Sequence, residues 1–243
     1  MKKIALILMA LAVISCKSSS SSSSKSENNA AQETVPAMYV ALSFDDGPNN
    51  VTTPKVLDIL EAYDAPASFF VIGQNIDDST AEQMKRAMKL GCEIQNHSFT
   101  HTFMSQLAAE EIQSEIQRTD ELIEKYVGVR PWLFRPPFID HNETMHKSID
   151  HTFICGVGCN DWVPEVTAQQ RYDQVMANVK NGDVILLHDF PGNDNTVQAL
   201  GNIIRDLRGR GFTLVTVTEL FEKLGSKPAA RSGILYTNVM QTE

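Results

Sequence analysis

The chain has 243 residues, room for one domain of about 200 residues with a sizeable core. A hydrophobic content of 42% and a charged content of 21% are ordinary for a globular protein. The formal net charge of −9 argues against a nucleic-acid partner, whose phosphates need Lys and Arg, and leaves a neutral polymer such as a polysaccharide open.

The first segment, "MKKIALILMALAVISC", sets a basic start at Lys2 and Lys3 before an apolar run too short to span a bilayer comfortably. The stretch resembles a bacterial lipoprotein signal over residues 1–16, in which Cys16 becomes the lipidated first residue; a plain secretory signal cut nearby is the alternative. Either predicts export, as a cell-envelope lipoprotein anchored in a membrane through Cys16 or as a secreted protein. Residues 17–37 are Ser-rich and nearly free of large apolar side chains, which predicts a flexible linker.

From "MYVALSF", a strand, the patterns alternate. "TTPKVLDILEAYD" places Val56, Ile59, Leu60 and Tyr63 at helical spacing behind Pro54. "PASFFVIG" and "CEIQNH" read as strands around the helix "TAEQMKRAMKLG", which Gly91 closes. "LAAEEIQSEIQRTDELIEKYVG" predicts a long helix with Ile112, Ile116, Thr119 and Ile123 on one face and Gly128 at its end. "WLFRPPF", "HTFICGVG", "DVILLHD" and "FTLVTVTEL" predict four more strands, with helices at "TAQQRYDQVMANVKNG" and "TVQALGNIIRDLRGRG" between them. Such alternation predicts parallel strands with crossover helices, hence an α/β layered fold or barrel. Residues 226–243 are a tail that either packs on the barrel or stays mobile.

Export permits disulfides, but Cys155 and Cys159 lie four apart in one expected strand, about 13 Å against a bridging limit of about 7 Å. Cys92, Cys155 and Cys159 are therefore read as small buried residues, and no CxxC pair points to structural zinc.

In α/β folds chemistry gathers at the carboxyl ends of strands. "SFDDGP" brings Asp45 and Asp46 there, and adjacent carboxylates raise each other's pKa unless something positive sits beside them. "CEIQNHSFTH" ends in His97 and His101, "WLFRPPF" carries Arg135, "ICGVGCNDW" ends in Asp161 and Trp162, and "DVILLHD" ends in His188. Two imidazoles four apart, with a carboxylate from another strand, complete a three-ligand open site of the catalytic-zinc kind. The metalloprotease helix motif is excluded, because Ser98 stands where it needs Glu. His141, His146 and His151 are assigned to structure or surface.

In this order, "SFDDGP", "HSFTH", "RPPF", "NDW" and "LLHD" resemble the five motifs of the polysaccharide deacetylases, the NodB-homology enzymes also called carbohydrate esterase family 4. The resemblance covers about residues 38–225 and implies a single NodB-like domain, a distorted (β/α) barrel, a divalent metal and removal of acetyl groups from sugars. It implies that Asp46, His97 and His101 bind the metal, with zinc expected first and cobalt, nickel or manganese also suited to these ligands. A cation beside the aspartate pair would keep both ionised. Asp45 is then the general base, oriented by Arg135, and the backbone N–H of Phe138 helps to hold the oxyanion. His188 is the general acid, kept protonated by Asp161. Trp162 and Leu187 wall a small apolar pocket for the acetyl methyl.

Two departures from the family pattern stand out. "IDHN" follows "RPPF", where the family often has a glycine and then "YN", and Gly158 replaces an aspartate often found three residues before Asp161. Neither removes a ligand or a proton-transfer group. "NDWVPEVTAQQR" and the region from "GDVILLHD" to "LYTNV" look most like the acetylxylan esterase branch. The expected partner is thus an acetylated polysaccharide: xylan carrying O-acetyl esters, with N-acetylglucosamine polymers of peptidoglycan or chitin as the alternative. A non-catalytic carbohydrate-binding protein is a distant reading, since no proton-transfer group or ligand is missing. A monomer is expected.

Overall fold

The computed structural model describes residues 36–228 and 231–242. The expected signal segment, its Cys16 and nearly all of the expected linker lie outside the described residues.

Strand β1 (Met38–Asp45) is the centre of the sheet, and its alternation organises the molecule. Val40, Leu42 and Phe44 face the helices in the largest core cluster. Ala41 faces a second apolar cluster on the opposite side, and Ser43 and Asp45 share its parity as buried polar groups. The flanking strands β2 (Ser68–Val71) and β7 (Val184–His188) repeat the rule: Phe69, Val71, Ile185 and Leu187 join the helix-side core, while Phe70 and Val184 join the other. Phe44 stacks on Phe69 with ring centroids 5.3 Å apart. Full burial of each such side chain contributes about 1.5–3 kcal/mol relative to exposure.

The remaining strands are β3 (Glu93–Asn96), β4 (Leu133–Phe134), β5 (Thr152–Ile154), β6 (Val157–Gly158), β8 (Phe212–Val215) and β9 (Leu235–Tyr236). The sheet runs β6–β7–β1–β2–β3–β4–β5–β9, with β8 paired to the first half of β1 and every ladder parallel. β5 and β6 sit near opposite ends of that order yet are joined only by Cys155 and Gly156, so the sheet must curl. Val184 N–H donates to the Thr237 carbonyl at 3.1 Å, and Asp183 bridges Asn238, which draws the β9 segment to β7. The result is the expected distorted (β/α) barrel. Helices α1 (Thr53–Ala62), α2 (Ala81–Lys89), α3 (Ala109–Val127), α5 (Ala168–Asn178) and α6 (Asp194–Gly209) connect the strands, with shorter α4 (Glu143–Ser148) and α7 (Val217–Lys223).

Several expectations are corrected. "TFICGVG" is not one strand: it breaks at Gly156, whose φ of 151° favours glycine and where a Cβ would come 2.8 Å from Leu186 Cβ. The strand expected over "FTLVTVTEL" stops at Val215, because Thr216 and Glu219 form a reciprocal capping box that starts α7. For the tail, where the sequence leaves packing and mobility both open, the outcome is packing: β9 pairs with β5 and Val239 is buried. Cys92, Cys155 and Cys159 are free thiols; burial pushes Cys92 up to about 11 and Cys159 up to about 12, whereas Cys155 is only half-buried.

Candidate active site

Inward parity at the carboxyl ends of the strands brings Asp45, Asp46, His97, His101 and His188 around one cavity of about 530 Å³. Its two walls are built by different means.

On one wall, Asp46 turns out of β1 with φ 74°, a left-handed conformation that Asp tolerates better than most residues. Gly47 follows because a Cβ there would lie 2.8 Å from both carboxylate oxygens of the buried Asp189. Burial pushes the Asp189 carboxyl up to about 7 against the hydrogen bond from Thr53. The loop after β3 is clamped from below. Glu115 of α3 accepts from the N–H groups of Phe99 and Thr100 at 2.9 and 2.7 Å, and Asn96 Oδ1 accepts from Ser98 N–H at 2.7 Å. This clamp holds Ser98 and His101 at φ 65° and 55° and folds His101 back beside His97.

His97 Nε2 and His101 Nε2 lie 3.4 and 3.3 Å from Asp46 Oδ1. His97 Nδ1 sits 2.7 Å from the Arg135 carbonyl, which can only accept, so Nδ1 carries the ring proton and Nε2 presents its lone pair. Burial, and then His97, hold His101 below the ordinary imidazole value. Burial acts to raise Asp46, but the imidazoles of His97, His188 and His101 outweigh it and keep this carboxyl below its usual range. Asp46 Oδ1 is buried with no hydrogen-bond partner. The lone pair of His97 Nε2, the His101 Nε2 and a carboxylate oxygen thus converge, and all three ligand atoms lie within 4.8 Å of one another. That donor set fits a divalent cation of the zinc or cobalt type.

On the other wall every charge is answered by the protein. Arg135, fully buried, gives Nη1–H to Asp45 Oδ1 at 2.5 Å and Nη2–H to Ser43 Oγ at 2.8 Å and to the Cys155 carbonyl at 2.5 Å. Its guanidinium lies 4.1 Å over the Phe70 ring. This orients the Asp45 carboxylate, whose other oxygen is 3.8 Å from His97 Nε2. His188 gives Nδ1–H to Asp161 Oδ1 at 2.8 Å, and Asp161 Oδ2 accepts the His188 backbone N–H at 2.7 Å and the Thr196 hydroxyl at 2.9 Å. The buried Arg171 steadies this cluster by donating to Asn193 and Thr196. Burial opposes charge on His188, but the hydrogen bond and charge of Asp161, with Asp45 and Asp46, raise it to about 9. It is therefore a proton donor at neutral pH, with Nε2 left for the cavity.

The structure gathers the sequence-selected residues with one exception. Asp161 stands behind His188, and Phe138 and Trp162 line the cavity, but Leu187 faces the helices and is buried in that core. The wall residue is Leu186, two before His188 and so on the same face of β7. Cys155 and Ile139 also line the cavity. His141 and His146 pair with each other at 3.0 Å, and His151 pairs with Asp120 at 3.1 Å, all outside the cavity lining.

The polysaccharide deacetylase family profile matches residues 32–153. A bifunctional xylanase/deacetylase of Pseudobutyrivibrio xylanivorans is 46% identical over 201 residues, which is 83% of this chain and 33% of that protein. The chain belongs to the polysaccharide deacetylase family. It spans about a third of the length of that bifunctional relative. Among solved members, the Xyl-CE4 domain of a multidomain xylanase from the hindgut metagenome of Trinervitermes trinervoides superposes with a TM-score of 0.83 at 44% identity, covering 85% of this chain and 100% of that one. A family 4 acetyl xylan esterase from Clostridium thermocellum, in complex with a cobalt ion, gives 0.82 at 40% identity, covering 84% and 100%. A peptidoglycan-N-acetylglucosamine deacetylase of Bacillus cereus is 37% identical over 190 residues, covering 74% of this chain and 87% of that one.

Proposed function

We propose that this deacetylase removes O-acetyl groups from xylan. The observation that carries the reading is the pairing, across one cavity, of an open Asp46–His97–His101 donor set with an Asp161-held acid and an Arg135-held base. The preference for xylan is supported by the higher identity to the xylan-directed relatives, 46% and 44%, than to the peptidoglycan deacetylase, 37%.

The chemistry a divalent cation supplies when bound by Asp46, His97 and His101 is Lewis acidity, which makes a water more acidic and draws electron density from the acyl group. Zinc is the metal we expect, with cobalt, nickel and manganese as competitors for the same ligands. Asp45 takes the proton of the attacking water, and its pairing with Arg135 holds it in place for that task. The backbone N–H of Phe138 faces the charge that develops on the acetyl oxygen. Trp162 and Leu186 border the space for the methyl group. His188 passes its Nε2 proton to the sugar oxygen as the carbon–oxygen bond breaks, so that acetate and a free hydroxyl leave.

We further propose that the protein is exported and held at a membrane by lipid on Cys16, that the Ser-rich linker tethers the barrel, and that the barrel works as a monomer. Multiple acyl chains would be needed for a stable anchor. Fractionation of the native protein, with Cys16→Ser as the comparison, tests the anchor: a wholly soluble parent cut elsewhere would reject it. Acetate release from acetylated xylan and from chitin oligomers, side by side with added metals, tests the activity. Preferential release from the chitin oligomers would reject the xylan reading.

A further inference from the structure

Beside the ligand His101 lies an aromatic pair that faces water. The Phe103 and Phe138 rings stack with centroids 4.2 Å apart and planes 17° apart, and Phe138 meets the His101 ring edge-on at 4.6 Å. Phe103 remains 47% exposed and Phe138 56% exposed. Burial of these rings does not explain their place, since about half of each stays wet. Backbone economy does not explain it either: Phe138 and Ile139 both hold positive φ, 58° and 56°, where bulky L-residues are outliers. Such strain persists only where the surroundings impose it, and it gathers at working sites.

Hydrogen bonds from two neighbouring segments impose it. Ser105 N–H donates to Asp140 Oδ2 at 3.0 Å, and Asn142 Nδ2 donates to the Ser105 carbonyl at 2.9 Å. The buried Met104 anchors the loop from beneath. Asp140 and Asn142 belong to "IDHN", the segment that departs from the common family pattern. They strap the Phe103 loop to the Phe138 turn, so the two rings are held as one rigid surface. Trp162, 51% exposed, stands near His188 on the other wall.

We propose that Phe103, together with Phe138, is a binding platform for the sugar unit next to the one being deacetylated. The proposal rests on the reading of the substrate as a polysaccharide. A β-linked pyranose with equatorial substituents has hydroxyls around its edge and C–H groups on its faces. A flat, half-wet aromatic pair desolvates such a face while leaving the hydroxyl edge in water. A ring seated on the free face of Phe103 lies one aromatic ring away from the Phe138 side chain, whose own N–H faces the reacting acetyl group in the proposed mechanism. The platform therefore selects chains over single sugars, and Phe103 sets that selectivity.

The test compares kcat/KM on acetylated xylotetraose with that on an acetylated xylose monosaccharide. Phe103→Ala is expected to lower the ratio of the two about tenfold, equivalent to about 1.4 kcal/mol, with the change in KM rather than kcat. Phe103→Trp should restore the ratio, and Phe103→Leu, apolar but not flat, should not. Calorimetric affinity for unacetylated xylotetraose should fall in parallel, with metal content and melting temperature held. An unchanged ratio in Phe103→Ala overturns the platform. So does an equal loss on both substrates with loss of metal, which would leave Phe103 as a mere support for His101. If the parent acts on chitin oligomers and not on xylan, the xylan reading fails alone, and the same ratio on N-acetylglucosamine tetramer and monomer decides the platform. A parent that acts on neither chain overturns both.

Discussion

On the His188 wall, the acid and the base are each held from inside the protein: Asp161 has donors from His188, Thr196 and Asn193, and Arg135, apart from its unpaired Nε, holds Asp45. On the Asp46 wall, His97 turns an acceptor, and His101 its Nε2, toward a carboxylate oxygen that has no donor. A general acid must carry its proton before the substrate arrives, so its surroundings are complete in advance. A cation site must leave lone pairs unanswered, because an internal donor would compete with the ion. Buried polar atoms are nearly always satisfied, so an orphaned Asp46 Oδ1 set 3.4 and 3.3 Å from two imidazole nitrogens marks the open wall.

Breaking the open wall should have the largest effect. His97→Ala or His101→Ala leaves two protein ligands, and the lost Lewis acidity, several kcal/mol, should slow turnover about 10³-fold or more. Exhaustive chelation should do the same and added divalent metal should reverse it. Full activity with no metal detected would remove the open wall from the chemistry.

Breaking the satisfied wall at its acid should cost about 10²–10⁴-fold. The loss in His188→Ala should be greater on an N-acetyl oligosaccharide than on an O-acetyl ester, because an amine departs unprotonated less readily than an alkoxide. Asp45→Ala should hurt both substrates alike. Parental rates for the His188 variant on both substrates would place the proton donor elsewhere.

A smaller effect is expected from Asp161→Asn, which keeps the shape and removes the charge. His188 should fall back from about 9 towards 6.5, moving the alkaline limb of the pH–rate profile to lower pH. The linked stability has a definite sign. A histidine whose pKa the fold raises contributes stability that is fully present below 6.5 and fades as pH rises through about 9. The melting temperature of the chelated parent should fall across that window, and the Asp161→Asn protein should show a flatter dependence. Equal slopes in the two proteins would sever Asp161 from the titration.

Thr196→Val should give the smallest change. It deletes one of several donors to Asp161, so activity should stay within a few-fold, and loss of a hydrogen bond to a charged group should cost about 1.5–3 kcal/mol in stability. A collapse of activity would show that Thr196 orients Asp161 rather than merely adding to its partners.

Most of the site was legible because its groups sit at strand ends, where turn residues such as Gly47 and Pro48 interrupt apolar runs. Strand parity separates Leu187 from the cavity: counting back by two from His188 leads to Leu186. The break at Gly156 was hidden because its cause, contact with Leu186, joins residues 30 apart in the chain. α7 carried a readable signal in Thr216 and Glu219, masked by the β-rich run before it. The strap between Ser105 and Asp140 left no local pattern, because each half is an ordinary polar residue until the fold pairs them.

The closing position of β9 has a consequence for how the protein comes into being. Cys155, which lines the cavity, donates its backbone N–H to the Tyr236 carbonyl at 2.8 Å, and Val184 leans on Thr237 in the same way. All ligands and proton carriers precede residue 189, yet the seam that seals their wall is written some 45 positions later. While a ribosome is still adding those residues, β5 presents a raw edge, and the cavity lacks its final brace. Completion of the pocket therefore waits on residues 235–237, after every ligand and proton carrier has already been made.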